Sequence, residues 1–340
     1  NLSGVDEKAR DWSGLNLSGV DFRGAYLKKV HFEESQLDGT NLQYADLCHA
    51  KLQHADLTEA NLQNADLWFA ELQNADLCHA KLQHADLTEA NLQNADLWFA
   101  ELQNAYLSDA NLQHADLLRA NLQHADLLRA NLQNANLLDA ELQNATLRFA
   151  ELQNATLRFA KLQNATLSFA KLQNATLRFA KLQNANLSSA KLQHADLLGA
   201  NLQHADLLGA NLQNATLRFA KLQNANLSSA KLQHADLSRA KLQHTNLSGV
   251  ELQNADLRRC DLLGWEQLEQ VIDGGLTGSK ITEEDFKDNI YPEWKAEADS
   301  EWEALTEVER MTAMKKFHGE TRMYIFDESG SQIIPQLTAP

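Results

Sequence analysis

Residues 61–70 read NLQNADLWFA, which is two five-residue units centred on Leu62 and Leu67. A large apolar residue recurs at every fifth position from Trp12 to Leu262, through 51 consecutive units without an insertion or deletion. A period of five fits neither the repeat of an α-helix, about 3.6 residues, nor the two-residue alternation of a β-strand. A repeat this strict predicts a solenoid, in which each unit buries its apolar side against the next unit.

A small residue stands two positions before each large one, as Ala65 stands before Leu67. Alanine fills this place in nearly every unit from Ala45 to Ala255, and the other three positions are polar or variable. We therefore expect two residues in five to point inward and three to point outward. A large and a small side chain in alternation can fill a narrow core without voids.

The units resemble those of the pentapeptide-repeat family, whose motif is A(D/N)LXX, over residues 12–262. Ala-Asp-Leu recurs at residues 45–47, 55–57, 65–67, 75–77, 85–87 and 95–97. The resemblance implies an all-β solenoid, a right-handed quadrilateral β-helix in which four units form one 20-residue coil. The repeats would then make about 12–13 coils stacked as in other solenoids. Residues i and i+20 would stack directly, and residues i and i+10 would lie on opposite faces.

This stacking predicts glutamine ladders on two opposite faces of the solenoid. One ladder would run through Gln43 and Gln63, and the other through Gln53 and Gln73. Stacked side-chain amides can hydrogen-bond from one coil to the next. We interpret these two faces as structural. Functional residues are then expected on the variable faces, at the residues whose numbers end in 8 and 9.

The chain is expected to contain four segments. Residues 1–11 form an N-terminal lead-in, with Trp12 as a lid, and residues 12–263 form the β-helix. An apolar face between two glycine-containing stretches predicts a capping helix over residues 264–275. The remaining residues, 276–340, are predicted to form a small acidic α+β appendage that docks on the solenoid or on another copy.

Within the appendage, residues 321–326 and 332–334 have the composition of two strands joined by a turn. Large apolar residues recur at helix-like spacings through the acidic stretch that precedes these strands. They are the candidates for docking or for homodimerisation: Trp294, Trp302, Leu305 and Val308.

The formal net charge of −16 is distributed unevenly along the chain. Residues 41–110 carry a net charge of −9, residues 141–260 carry +7, and residues 261–340 carry −11. The solenoid is thus acidic in its first half and basic in its second half. This division of charge argues against any function that needs a uniformly acidic or uniformly basic surface.

The compartment is predicted from the cysteines and from the absence of targeting signals. Cys48, Cys78 and Cys260 are three in number and widely spaced, which favours free thiols in a reducing compartment. No apolar run approaches the length of about 18 residues that a membrane span requires. The first residues also lack the apolar core of a signal peptide. These features predict a cytoplasmic protein without a membrane segment.

No catalytic, cofactor-binding or metal-binding site is predicted. Eight histidines share one solenoid position: His54, His84, His114, His124, His194, His204, His234 and His244. No two of these histidines are 20 residues apart, so they cannot stack into a metal-binding ladder. No nucleophile has a matched base, and no glycine-rich loop could hold a phosphate.

Outward aromatic residues are the best candidates for a contact surface, because clusters of exposed rings are typical of interfaces. They are Trp68, Phe69, Trp98, Phe99, Phe149, Phe159, Phe169 and Phe179. An alternative is that the rings serve only cross-strand packing. In addition, residues 45–74 recur identically as residues 75–104, so a duplication alone would produce the second Trp-Phe pair.

Two classes of function remain open. The first is a non-enzymatic scaffold that binds a protein partner, or itself, through the faces of the solenoid. The second follows from the resemblance, because some family members are acidic DNA mimics that protect gyrase, a type II topoisomerase. The basic second half does not fit DNA mimicry. Arginine beside phenylalanine can hold single strands, but the acidic ends of the chain do not favour direct nucleic-acid binding.

Overall fold

The computed structural model describes residues 10–261, 279–282, 310, 313–314, 317, 323–327 and 332–334. The chain divides into two compact units, Asn1–Asn186 and Leu187–Pro340. In each unit the repeats form parallel β-bridges between residues 20 apart, as between Asp46 and Asp66 in unit 1 and between Lys191 and Asn211 in unit 2. The predicted 20-residue coil is therefore confirmed in both units.

One pentapeptide shows how the backbone is satisfied. Positions 1 to 5 are Asp46, Leu47, Cys48, His49 and Ala50. The N–H groups of positions 1, 2 and 4 donate to carbonyl oxygens of neighbouring coils, at 2.9, 2.7 and 2.8 Å. The N–H of position 5 donates to the carbonyl of position 2 at 2.8 Å and closes a β-turn. The N–H of position 3 donates to Oδ1 of Asp46 at 3.1 Å, so all five donors have acceptors.

The side chain at position 1 is thus a turn cap as well as a surface group. The same bond joins the Thr58 N–H to Oδ1 of Asp56 at 3.0 Å, and the Gln43 N–H to Oδ1 of Asn41 at 3.2 Å. Asp and Asn place a side-chain oxygen two residues before the donor in this Asx-turn geometry and do so better than Ser or Thr. This preference explains why Asp or Asn precedes leucine in so many units.

Position 4 has a left-handed backbone throughout the repeats. Its non-glycine residues in the described part of the chain have φ between 54° and 62°. A β-turn with positive φ at its third residue corresponds to type II, which favours Gly and Asn there. The frequent Asn residues of this position, such as Asn154 and Asn164, therefore follow from the turn itself.

We expect Asn164→Val to lower the free energy of unfolding by about 1–2 kcal/mol, because a β-branched side chain is strained in the left-handed region. Asn164 is exposed and has φ of 60°, so the substitution changes little besides the backbone preference. Asn164→Gly is the matched control and should leave stability within about 0.5 kcal/mol. Urea denaturation followed by circular dichroism measures both, and equal losses in the two variants would contradict the left-handed assignment.

The core consists of the residues at positions 2 and 5. From Leu37 to Leu257 the leucines at position 2 are 0 or 1% exposed, and the alanines at position 5 are equally buried. The prediction of two inward residues in five is confirmed. Polar residues at position 5 donate to backbone carbonyls, within the same turn for Ser35 and Thr40 and to the Leu222 carbonyl, one coil away, for Thr245. Ser35 Oγ donates to the Phe32 carbonyl, and Thr40 Oγ1 to the Leu37 carbonyl, each at 2.7 Å.

An aromatic cluster begins the first coils of unit 1. Trp12 packs against Phe22 at 5.8 Å and against Phe32 at 5.4 Å between ring centroids. Phe32 is fully buried, whereas Trp12 and Phe22 are half-buried. Trp12 thus covers larger inward side chains than later coils have. Residues 1–9 of the predicted lead-in lie outside the described residues.

The glutamine ladders form only in part. Gln43 Nε2 donates to Gln63 Oε1 at 2.7 Å, as predicted. Gln123 Nε2 instead donates to a carboxylate oxygen of Glu141 at 2.7 Å. Among the described residues, the acceptor of each glutamine amide depends on the residue 18 positions later: where that residue is acidic, its carboxylate accepts the amide N–H. A charged acceptor makes the stronger hydrogen bond, so it displaces the neutral ladder partner.

Unit 2 ends in a three-stranded sheet with the order β1-β2-β3. Its strands are β1 (Lys280–Thr282), β2 (Tyr324–Phe326) and β3 (Gln332–Ile334). Strands β1 and β2 are parallel, and β2 and β3 are antiparallel. Strands β2 and β3 lie within the two predicted strand segments, whereas β1 was not foreseen from the sequence.

Within the described residues, Ser279 and Phe326 connect this part of the chain to the last coils of unit 2. Ser279, which is fully buried, donates from Oγ to the Leu252 carbonyl at 2.5 Å. The Arg258 guanidinium lies 5.2 Å from the centre of the Phe326 ring. Phe317, in a helical conformation, is fully buried. The predicted capping helix over residues 264–275 lies outside the described residues.

Candidate protein-interaction surface

Positions 3 and 4 of alternate units form two columns of outward side chains on unit 1, half a coil apart. Column A comprises residues 78–79, 98–99, 118–119, 138–139, 158–159 and 178–179. Column B comprises residues 48–49, 68–69, 88–89, 108–109, 128–129, 148–149 and 168–169. The turn directs these residues away from the core, since positions 2 and 5 occupy the inside.

Column B contains a cluster of three rings. The His49 and Phe69 rings are stacked, with centroids 5.2 Å apart and planes at 5°. Trp68 meets Phe69 edge to face at 4.5 Å and remains 39% exposed. The cluster fixes the orientation of an indole that still faces solvent.

Column A repeats this cluster. His79 stacks on Phe99 at 5.1 Å and 5°, and Trp98 lies 5.0 Å from Phe99. The Arg119 guanidinium adds a cation–π contact 5.5 Å from the Phe99 ring. The duplication shifts the sequence by 30 residues, which is one and a half coils. The two copies therefore face opposite directions.

Further along unit 1, each column carries a stacked phenylalanine pair. Phe149 and Phe169 of column B are 5.1 Å apart, and Phe159 and Phe179 of column A are 5.5 Å apart. All four rings are 41–45% exposed. Arg148 lies 4.8 Å from the Phe149 ring, and Arg158 lies 4.7 Å from the Phe159 ring.

These phenylalanines stand at the left-handed position of the turn. Phe69 has φ of 54°, and Phe149 and Phe159 have φ of 61°. An L-residue in this region costs roughly 1–2 kcal/mol, and a bulky ring has no local hydrogen bond to offset the cost. Every described non-glycine residue at position 4 shares this left-handed φ, so the strain belongs to the turn, and these units differ in placing a bulky exposed ring there. The spacing of the sequence places the rings outward but does not reveal this strain.

A groove in column A lies between its two aromatic groups and has a volume of about 700 Å³. We name it the basic-aromatic groove. It is lined by Trp98, Leu118, Arg119, Leu138, Asp139, Arg158, Phe159, Lys161, Phe179 and Lys181. Leucines fill its centre because the coils at Leu118 and Leu138 carry no outward ring. The groove was not foreseen from the sequence, although the stacking of residues 20 apart could have indicated it.

The groove has more cations than anions. Arg119 pairs with Asp139 at 3.2 Å, and Lys161 pairs with Glu141 at 2.5 Å. Among the described residues, Arg158 and Lys181 have no carboxylate partner. An apolar centre with two uncompensated cations suits a ligand that is both acidic and apolar.

The histidines and cysteines offer no alternative site in the described part of the chain. No group of three or more His, Cys, Asp or Glu residues there could hold a metal ion. The three cysteines are free thiols. Burial, as the main cause, raises the pKa of the Cys48 and Cys78 thiols. A raised pKa leaves little of the reactive thiolate near neutral pH.

The candidate residues for docking or homodimerisation are not among those that the structure describes. Trp294, Trp302, Leu305 and Val308 lie outside the described residues. Among the residues that the structure does describe, no helix has the length and apolar character needed to cross a membrane.

The coils and turns define a β-helical repeat protein. A family profile described as "Pentapeptide repeats" matches eight times, and the matches together span most of the chain. They cover residues 16–53, 40–77, 70–109, 100–139, 140–178, 180–218, 210–249 and 225–264. The chain therefore belongs to the pentapeptide-repeat family.

Solved structures of the same family are similar to this chain. HetL from the cyanobacterium Nostoc sp. strain PCC 7120, a protein involved in heterocyst differentiation regulation, is 37% identical over 61% of this chain and 89% of its own, with a TM-score of 0.38. Rfr23 from Cyanothece 51142 is 41% identical over 28% of this chain and 62% of its own, with a TM-score of 0.21.

QnrB1, a plasmid-mediated fluoroquinolone resistance protein, is 15% identical over 61% of this chain and 91% of its own, with a TM-score of 0.32. A comparison with curated protein sequences found no match.

Proposed function

We propose that this protein is a non-enzymatic scaffold that binds a protein partner through the aromatic columns of its solenoid, with the C-terminal region docking or dimerising. The observation that carries the proposal is the set of exposed rings held at a strained turn position on opposite faces of unit 1. The unbroken repeat supports it, because no loop interrupts the described coils to enclose a substrate.

The physical basis of binding is pre-organisation. A tryptophan or phenylalanine already fixed by stacking loses little conformational freedom when a partner covers it. Trp98, Phe159 and Phe179 each leave about two fifths of their surface exposed. Arginine beside these rings adds directional contacts that are enriched at interfaces.

The test is affinity capture from the native host with the full chain and with Trp98→Ser/Phe159→Ser. The variant should lose at least about nine tenths of a bound partner, because buried aromatic anchors carry most of the energy of an interface. Tyr44→Ser is the matched control. Tyr44 also has a left-handed backbone and is 62% exposed, but it lies outside both columns. Equal capture by all three proteins would contradict the proposal.

A second candidate function is the protection of gyrase or another type II topoisomerase by DNA mimicry. It is supported by the aspartates at position 1 in the acidic part of unit 1, such as the exposed Asp66 and Asp76. Their Oδ1 atoms accept backbone N–H groups, and their carboxylates remain at the surface. A supercoiling assay decides this candidate: the absence of inhibition at micromolar protein would exclude it.

We also propose that the protein works in the cytoplasm. The three free thiols support this compartment, since a reducing environment keeps unpaired cysteines stable.

A further inference from the structure

The basic-aromatic groove has an acidic and aromatic counterpart in the same sequence. Residues 293–309 contain seven carboxylates, one lysine, and the side chains of Trp294 and Trp302. The groove offers the complementary set: two uncompensated cations, an apolar centre and exposed rings at both ends. Charge complementarity of this kind selects a partner and fixes its orientation.

The dimensions of the groove suit a short segment. Trp98 and Arg158 lie three coils apart along column A, which is about 14 Å at the spacing of about 4.8 Å between neighbouring strands. A ligand of this length can place one ring against Trp98 and another against Phe159 and Phe179. Its carboxylates would then lie near Arg158 and Lys181.

We propose that the basic-aromatic groove of one copy binds residues 293–309 of a second copy, so that two chains exchange these segments in a homodimer. The inference deepens the proposed function and rests on it. Each chain carries both a groove and an acidic segment, so a twofold arrangement uses two identical contacts and closes without further addition of copies. The flanking strands β1 and β2 belong to unit 2, whereas the groove belongs to unit 1.

The first measurement is sedimentation equilibrium of the full chain at several concentrations and at low and high salt. We expect a concentration-dependent dimer that weakens as salt screens the charges. Arg158→Glu should raise the dimer dissociation constant at least about tenfold, because it places a carboxylate beside an acidic ligand. A full chain that stays monomeric at all concentrations would overturn the inference.

Arg148→Glu is the matched control. Arg148 and Arg158 have the same cation–π geometry with the adjoining phenylalanine, at 4.8 and 4.7 Å, but Arg148 belongs to column B. The control should keep the dissociation constant of the unmodified protein. An equal weakening by both variants would show a general charge effect and would overturn the groove as the site.

Charge exchange between copies distinguishes a second copy from the chain's own segment. Glu301→Lys/Glu303→Lys alone should likewise raise the dimer dissociation constant at least about tenfold, so each variant is compared at a concentration at which it is monomeric on its own. A mixture of this variant with Arg158→Glu restores one native contact and one reversed ion pair, so we expect dimers to return. A mixture that stays monomeric would overturn the exchange and point to binding within one chain. Thermal melting of each variant by circular dichroism verifies that the fold is intact.

The dimer measurements and the capture of a host partner can fail independently of each other. If the dimer is absent but capture of a host partner still depends on Trp98 and Phe159, only the inference fails. If the charge-exchange dimer forms but no host partner depends on these rings, the columns serve self-association alone.

Discussion

Leu207→Ala is expected to lower the free energy of unfolding by about 2–5 kcal/mol, whereas the same change at the next residue, Leu208→Ala, should cost no more than about 0.5 kcal/mol. Leu207 is 0% exposed at position 2, and Leu208 is 46% exposed at position 3. The first substitution leaves a cavity between stacked coils that the rigid backbone ladder cannot collapse. The second removes only a side chain that already faces water.

The pair is its own control, because the two leucines are adjacent and undergo the same chemical change. Long repeat arrays can unfold in parts. Native-state hydrogen exchange at the N–H groups of neighbouring coils should therefore accompany urea denaturation. Faster exchange is expected around Leu207 and not around Leu208. Equal losses at both sites would mean that the assignment of inward and outward positions is wrong.

Overpacking of the small inward position has the second largest expected effect. Ala90 is 0% exposed at position 5. We expect Ala90→Leu to cost about 1–3 kcal/mol, because the added carbons force side chains or backbone out of place. Val30 and Val250, both 0% exposed, occur naturally at position 5, whereas Leu15 at the same position is 47% exposed.

Thr88→Leu is the control for this second prediction. Thr88 stands two residues before Ala90 at position 3, an outward place that leucine occupies naturally at Leu118 and Leu128. Its stability should stay within about 0.5 kcal/mol of the unmodified protein in the same urea experiment. A neutral Ala90→Leu would mean that the coil interior contains unfilled space.

The core positions could be predicted from the sequence because each unit repeats the same pattern of one large and one small apolar residue, whereas the coil of four units was implied by the family resemblance. The spacing of Leu62 and Leu67 reveals the period, and Ala65 reveals the small inward position. The outward place of Trp68 and Phe149 follows from that register. Period and register are local properties of the chain, so one sequence is sufficient to derive them.

Other features depend on dihedral angles and on neighbours one coil away. The positive φ of Phe149 and the cap of the Cys48 N–H by Asp46 belong to the turn geometry. The transfer of the Gln123 amide to Glu141 arises between residues 18 apart, where an acidic side chain competes with the glutamine ladder. This competition depends on the distances between side chains on neighbouring coils, which the repeat pattern in the sequence does not give.

The amino-acid sequence by itself determined the solenoid and its inward and outward positions, because a five-residue period leaves only one register that buries every leucine. The 20-residue coil, and with it the faces on which rings are exposed, followed from the resemblance to the pentapeptide-repeat family. Only the tertiary structure decided that Leu118 and Leu138 leave a groove between Trp98 and Phe159, with Arg158 and Lys181 at its edge. The physical reason is that residues 20 apart in the sequence form the groove. Its net positive charge is what is left over once other cations have paired with carboxylates on neighbouring coils.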